Sequence, residues 1–312
     1  MKMQMVDVII PLYKPQKELN TLIERLAKQS VRPNRVILIN TEEKYFEQLG
    51  YGTMFPQKYG KFVSVFHIEK REFDHGKTRH LAVTMSQADV FVMMTQDALP
   101  ADQFLIENLL KALADEQTVV AYARQLPTSD CNVIEKYTRK FNYPNESRKK
   151  TLEDLEELGI KTYFCSNVCA AYKRSTYDNL GGFIRHTIFN EDMIYAAGAI
   201  KAGNAIAYTA NARVIHSHNY TCGQQLKRNF DLGVSQADHP EIFSGVPSEK
   251  EGKKMVKKTM QYLWKNHYRH LIVGYIFQCF CRYLGYFLGK HYKLLPMFLI
   301  KKCTLSPAYW QK

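Results

Sequence analysis

The sequence predicts an α/β fold: a mostly parallel central sheet flanked by helices, followed by a basic, aromatic helical extension. Three observations carry this. Short apolar runs alternate with segments whose apolar residues recur at helical spacing, the pattern of right-handed βαβ units. The first run, VDVIIPLY (6–13), is apolar on both faces, as a strand covered on both sides must be. Charge is uneven: residues 252–312 hold twelve Lys or Arg and no Asp or Glu, whereas residues 1–251 carry 31 basic against 30 acidic residues.

Taken in order, VDVIIPLY is followed by Leu19, Leu22, Ile23 and Leu26 at helical spacing, up to Ser30. RVILINT (35–41) is the second strand, residues 44–62 a Tyr- and Gly-rich connection, and FVSVFHI (62–68) the third strand. FDHGKTRHLA (73–82) opens a helix that runs to about Gln87. DVFVMMTQDALP (89–100) is a fourth strand with a polar end, before a helix over 104–114 and a strand over 119–126. SRKKTLEDLEELGIK (147–161) is charged and helical. Residues 162–183 read as a strand, a short helix and a glycine turn. FNEDMIYAAGAIKAG (189–203) is an acidic loop entering a helix, and AIAYTANARVIHSHNY (205–220) a strand pair ending in two histidines. Sheets of this kind bind ligands beyond the carboxyl ends of their strands, so chemistry is expected just after residues 13, 41, 68, 97 and 126.

A chain of 312 residues, 46% hydrophobic, accommodates one large α/β domain with an appendage. The first residues, MKMQMVDVIIPLY, read as a buried strand and not as a secretory signal. Seven irregularly spaced cysteines give neither a disulfide framework nor a CxxC pair. They read as buried apolar residues in a reducing cytosol, Cys165 and Cys169 included.

No GxGxxG follows the first strand and no P-loop signature occurs, so a bound diphosphate needs another cradle: a carboxylate-held divalent metal with basic side chains. Asp97, ending an apolar strand in TQDALP, reads either as that carboxylate or as the N-cap of the next helix. Glu191 and Asp192, ahead of a helix, either complement its dipole or include a general base. His216 and His218 alternate on one strand face and are either structural or ligands to metal or phosphate. In FDHGKTRHLA, Gly76 permits close backbone approach to a diphosphate, and Thr78 with the helix N-terminus offers it donors. The stretch reads either as a solvated helix start or as an anion site; in the second reading Arg79 is the fixed cation and His75 a further ligand contact, while Asp74 caps the helix and Lys77 and His80 are solvated.

These sites in this order resemble a family 2 glycosyltransferase of the GT-A fold, through VIIPLY, the single acid of TQDA, and NED before a helix. FDHGKTRHLA followed by TQDALP is similar to the rhamnosyltransferase-like branch. The resemblance covers residues 6–220. It implies a nucleotide-sugar-binding and catalytic domain over 1–220 and a helical region over 221–312, on a membrane surface or at an oligomer contact. Carried over residue by residue, Pro11 and Tyr13 border the nucleoside pocket, and Glu42 contacts base or ribose. Gln96 and Glu191 join the substrate contacts, Asp97 is the metal ligand with His218 assisting, and Asp192 is the base. Mg2+ or Mn2+ is the implied cofactor. Of the processive QxxRW motif, Gln225 and Arg228 are present but Asn229 replaces tryptophan, which favours transfer of one or a few sugars.

The implied reaction is inverting transfer from a nucleoside diphosphate sugar, dTDP-rhamnose by resemblance, to a glycan or polyprenyl-diphosphate-linked acceptor in bacterial surface polysaccharide and cell-wall synthesis. The tail, with both tryptophans and 13 of 39 aromatics, points to an anionic membrane surface and a peripheral place on the inner face of the cell membrane. LIVGYIFQCFCRYLGYFL (271–288), interrupted by Arg282, reads as part of an interfacial helix pair, or as a hairpin packed on the domain or on a second subunit. A nucleic-acid-binding protein is the competing class, but no RNP, zinc or helix-turn-helix signature supports it, and no nucleic acid is expected as a partner. A nucleotidyltransferase would start with a Gly-rich basic loop, which VIIPLYKP lacks.

Overall fold

The computed structural model describes residues 4–246 and 249–311; the opening residues 1–3 of the expected first strand lie outside them. Nine strands form one sheet: β1 (Val6–Tyr13), β2 (Arg35–Thr41), β3 (Val63–Ile68), β4 (Val90–Met94), β5 (Leu99–Pro100), β6 (Thr118–Leu126), β7 (Arg148–Lys150), β8 (Cys169–Lys173) and β9 (Ala205–Ile215). Their spatial order is β3-β2-β1-β4-β8-β6-β9-β5, with β7 also paired to β9.

Strands β3, β2, β1 and β4 are mutually parallel, with Val8 opposite Val36 and Val92. β8 runs antiparallel between β4 and β6, and β9 is parallel to β6. β1–β4, β6 and β9 therefore point the same way, and one edge collects their carboxyl ends together with the amino end of β8. That edge is where the candidate site forms.

The helices that flank the sheet are α1 (Glu18–Ala27), α2 (Glu43–Glu47), α3 (Tyr51–Tyr59), α4 (His75–Thr84), α5 (Leu105–Leu113), α6 (Val133–Asn142), α7 (Leu155–Leu158), α8 (Arg174–Asn179) and α9 (Glu191–Lys201). β1 alternates between two cores: Val8, Ile10 and Leu12 pack with α1 and α5, whereas Ile9 packs with Phe91, Tyr172 and α9. On α1 the i, i+3, i+4, i+7 set Leu19, Leu22, Ile23 and Leu26 is fully buried, about 1.5–3 kcal/mol of apolar burial per side chain.

Five expectations need correction. Residues 44–62 are not a connection: Phe46, Tyr51 and Phe55 form a buried edge-and-stack cluster that pulls α2 and α3 onto the sheet. Residues 147–161 begin as the edge strand β7, because Lys149 and Lys150 pair with β9, and only one α-helical turn follows. Residues 89–100 are two strands, since the chain turns at 95–97 and resumes as β5 against β9. Residues 205–215 are one long strand, and the histidines lie in the segment beyond it. The helix after the FDHG stretch ends at Thr84, short of Gln87.

The C-terminal region is α10 (Cys222–Asp238), α11 (Pro240–Phe243), α12 (Glu249–Lys265), α13 (Ile272–Lys290) and α14 (Met297–Cys303). α10 and α13 cross backbone to backbone. A Cβ on Gly285 would fall 2.1 Å from the Leu226 carbonyl oxygen, and one on Gly289 2.1 Å from that of Phe230. α14 is tied back by Asp231, which accepts from Thr304 Oγ1 at 2.6 Å and the Leu305 N–H at 2.9 Å. All seven cysteines are free; Cys131, Cys165, Cys169 and Cys281 are buried.

Candidate active site

At the carboxyl end of β4 the chain turns so that Asp97 Oδ2 faces two imidazoles, His218 Nε2 at 3.1 Å and His216 Nε2 at 3.5 Å. The N-cap reading of Asp97 does not hold: α5 starts at Leu105, and the N–H of Phe104 before it bonds Asp102 instead. His216 is buried, and burial lowers its pKa, which favours the neutral ring. Its Nδ1 lies 3.2 Å from Gln125 Oε1, the atom that also accepts from Arg139. That oxygen is an acceptor, so His216 carries its proton on Nδ1 and Nε2 presents a lone pair to Asp97. A lone pair facing a carboxylate oxygen is repulsive unless a cation lies between them. The three ligand atoms lie within 4.8 Å of one another, and one carboxylate with two imidazoles suits a divalent metal.

The second centre is the start of α9. Asn190 takes a left-handed backbone (φ 65°), which asparagine tolerates, and turns the next two acids inward. Asp192 Oδ2 accepts the Asn167 N–H at 2.9 Å and Oδ1 its neighbour Met193 N–H at 2.8 Å. Burial, and then the Glu191 charge, push its carboxyl up to about 7. Glu191 is buried and remains the charged member of the pair. It accepts from Asn167 Nδ2 at 3.1 Å, and its ion pair with Arg79 Nε is also 3.1 Å long. A half-buried carboxylate with a pKa near neutrality is suited to take a proton.

FDHGKTRHLA serves this second centre through contacts within the protein. Asp74 Oδ1 caps α4 by accepting from the Gly76 and Lys77 N–H groups. Gly76 does not open the backbone to a ligand: a Cβ there would fall 1.7 Å from the Ile184 carbonyl oxygen, so α4 is pressed against the segment that leads into α9. Thr78 Oγ1 accepts the Asp74 N–H at 3.1 Å. Arg79, expected as a cation for the diphosphate, is buried; it pairs with Glu191 and donates to the His75 carbonyl at 2.9 Å. His75 lies half-buried against Phe73 and Phe189, held down to about 4 by burial and by Arg79. His80 is not solvated, since its Nδ1 meets Tyr177 OH at 3.1 Å; Lys77 is exposed as expected.

At the carboxyl ends of β1 and β2, Tyr13 is partly exposed and stands edge-on to Tyr45 at 6.0 Å. Gln96 spends its amide on Tyr13, accepting its N–H and donating to its carbonyl, both at 3.0 Å, so it positions Tyr13. Pro11 is half-buried within β1 opposite Ile39, and Glu42, at φ 63°, pairs with Lys44 at 2.9 Å.

Several neighbours escaped sequence reasoning. Lys14 and Lys70 lie over the Tyr13 ring at 5.4 and 5.7 Å. Asn167 joins both α9 acids, and Arg228 stacks between Phe189 (4.7 Å) and Tyr220 (5.8 Å) with no ion pair to a described residue. Tyr220 in turn lies 4.9 Å from the His218 ring. Only Arg228 carried a signal, as the arginine of the incomplete QxxRW.

The glycosyl transferase family 2 profile matches residues 7–181. The O-antigen chain rhamnosyltransferase RfbN of Salmonella typhimurium (strain LT2) is 38% identical over 309 residues, 98% of this chain and 96% of its own. WbaN of Salmonella anatum, also an O-antigen chain rhamnosyltransferase, is 36% identical over 308 residues, 97% and 95% of the two chains. Among solved structures, the mannosyltransferase PcManGT of Pyrobaculum calidifontis, in complex with GDP-Man and Mn2+, superposes with a TM-score of 0.61 over 93% of this chain and 86% of its own at 14% identity, a likeness of fold. The chain belongs to glycosyltransferase family 2 and is a glycosyltransferase.

Proposed function

We propose that this enzyme transfers L-rhamnose from dTDP-rhamnose to a hydroxyl of a glycan or lipid-linked glycan in bacterial surface polysaccharide synthesis, with inversion. The near-complete match to two O-antigen chain rhamnosyltransferases supports the sugar and the pathway class. The observation that carries the mechanism is Asp192, a carboxylate oriented by Asn167 and pushed up to about 7 at the sheet edge that also holds Asp97.

Asp192 takes the proton of the acceptor hydroxyl as its oxygen bonds the anomeric carbon. The bond from that carbon to the diphosphate oxygen breaks on the opposite face, and the electron pair leaves with the diphosphate. A divalent cation, Mg2+ or Mn2+, would be held by Asp97, His216 and His218 and supplies Lewis-acid stabilisation of the leaving charge. Arg228, clamped between two rings and with no ion pair among the described residues, adds a fixed positive charge on that side. Tyr13, held by Gln96, offers a ring to the nucleoside, with Lys14 and Lys70 beside it. Arg79 and Glu191 position the base. The setting is the cytoplasmic face of the cell membrane, where a lipid-linked acceptor is reached.

The test is a donor screen with Mn2+ or Mg2+ present. Of a panel of nucleotide sugars, dTDP-rhamnose is expected to give the largest rise in melting temperature and to be turned over to a product of inverted anomeric configuration. A larger response to another sugar nucleotide, or a retained configuration, overturns the reading.

A further inference from the structure

We propose that the outward face of α13 lies among the headgroups of an anionic bilayer and holds the catalytic edge of the sheet at its surface. The purpose of this contact rests on the lipid-linked acceptor reading above; the contact itself does not, and is measured without acceptor.

α13 has two faces. Tyr275, Cys281, Gly285 and Gly289 are buried, and the glycines bring its backbone onto α10. Val273, Ile276, Phe277, Phe280, Tyr283 and Phe287 occupy the opposite arc and are 47–78% exposed. This is a continuous apolar stripe of a kind that soluble monomers rarely leave bare. On α14, Phe298 is 62% exposed beside the exposed Lys301 and Lys302. At the other end Trp264, 59% exposed, is stacked by Arg269 at 4.3 Å. An apolar stripe flanked by cations and aromatics is the chemistry of an interfacial helix.

Charge selects the occupant. From residue 252 onward the chain holds twelve Lys or Arg and no acid. A second copy seated on this face would bring the same cations together with no carboxylate in either segment to meet them. An anionic bilayer supplies both the apolar depth and the counter-charge.

A spanning helix does not fit. Arg269–Lys290 is long and apolar enough to cross a membrane by length and composition. Its inner face, however, is fixed to α10, which carries Lys227, Arg228 and Asp231, residues costly to draw into hydrocarbon.

The stripe also stands in a defined relation to the chemistry. On the side of α13 away from it, Gln278 Nε2 donates to the Tyr220 carbonyl at 3.5 Å, and the Tyr220 ring lies 4.9 Å from His218. The candidate metal site thus lies on the far side of α13 from the stripe, more than one helix diameter, roughly 10 Å, from the apolar face.

The full chain is mixed with sucrose-loaded vesicles of phosphatidylcholine alone, or of an equal mixture with phosphatidylglycerol, and sedimented. The expected result is binding to the mixed vesicles that falls as salt is raised, and weak binding to phosphatidylcholine. The Phe277→Ser/Phe280→Ser variant, with its melting temperature unchanged, is expected to bind about tenfold less or weaker still. Arg269→Gln/Lys301→Gln/Lys302→Gln, which leaves the apolar face intact, is expected to lose the preference for phosphatidylglycerol. The proposal is overturned if the mixed vesicles are not bound at low salt, or if the apolar variant binds them as well as the parent. It is also overturned if light scattering shows a dimer that the apolar variant dissociates, since a second copy then covers the face. None of these outcomes depends on which sugar is transferred.

Discussion

Asn167 holds Asp192 with its backbone and Glu191 with its side chain: the main-chain N–H reaches Asp192 Oδ2 at 2.9 Å, and Nδ2 reaches Glu191 Oε1 at 3.1 Å. Its own Oδ1 is fixed by the Tyr172 hydroxyl at 2.6 Å, within the aromatic core. Antiparallel β8 makes this possible, because its amino end lies at the same sheet edge as the carboxyl ends of its neighbours. One residue therefore sets the orientation of both acids, and Arg79 keeps the charge on Glu191, which in turn raises Asp192.

The pH profile should report that coupling. Asp192 acts as a base only when ionised, and burial with the Glu191 charge holds its pKa at about 7, so kcat/KM should fall as pH drops through about 7. Glu191→Gln removes the second of those causes, and the acid limb should move to lower pH. Asp192→Asn should cost on the order of 10²–10⁴-fold in turnover. Stability should respond in the opposite sense. A carboxyl whose folded pKa lies above its unfolded value contributes stability that is lost as pH rises through about 7. Asp192→Asn should therefore melt higher than the parent at pH ~8 and show no such gain at pH ~4, which a pair of thermal scans reads directly.

Arg79→Ala should unfold the protein more easily, contrary to the role its motif suggests. Arg79 and Glu191 are both buried, and breaking a buried pair leaves a lone charge at a cost of about 3–5 kcal/mol. Arg79→Met combined with Glu191→Gln should recover most of that loss in a urea titration while turnover stays low. If Arg79→Ala kept its urea midpoint and only raised the KM for donor, the diphosphate role would stand instead.

How much of this was legible in the sequence follows from which interactions are local. β1 to β4 could be read because apolar runs such as VIIPL (8–12) and VFVMM have few other structures open to them. The rule that ligands bind beyond strand ends pointed to residue 97, whereas His218 was joined to it only through the family resemblance. The helices at 43–59 were hidden because Phe46, Tyr51 and Phe55 do not share one helical register and Gly50 and Pro56 interrupt them; their packing is with one another across a turn. The ion pair of Arg79 was hidden for the same reason. The neighbours of Arg79 in sequence describe an anion site, whereas its partner Glu191 comes from α9, far along the chain though packed on the same face of the sheet. Asn167 gave no signal, since a side chain that orients two acids has no motif of its own.

The Gln125 amide should matter to metal binding although it touches no candidate ligand atom on the metal side. Its Oε1 accepts from Arg139 and from His216 Nδ1, which is what turns the His216 lone pair toward Asp97. Partners of this kind contribute about 10–100-fold to metal affinity. Gln125→Leu should weaken Mn2+ binding by that factor in a calorimetric titration, without donor present, and His216→Ala should abolish the difference between Gln125→Leu and its parent. Equal Mn2+ affinity in the parent and Gln125→Leu would argue against the assigned tautomer.

Two glycine-to-alanine changes should have opposite signs. Both Gly76 in α4 and Gly198 in α9 sit in helices, where alanine is favoured by up to about 1 kcal/mol. At Gly198 no atom lies within 4 Å of the new Cβ, so the substitution should stabilise the fold by about 0.4–1 kcal/mol. At Gly76 the new methyl would sit 1.7 Å from the Ile184 carbonyl oxygen, a backbone atom that has no rotamer to escape into. α4 must then part from the segment leading into α9, at a cost of about 1–3 kcal/mol that exceeds the helical gain. That separation stretches the Arg79–Glu191 pair and moves Asp192 off its bond to Asn167. Gly76→Ala should thus lower kcat more than its fall in melting temperature accounts for, whereas Gly198→Ala should leave kcat unchanged. An active, fully stable Gly76→Ala enzyme would show that the contact between α4 and the base segment is not what places Asp192.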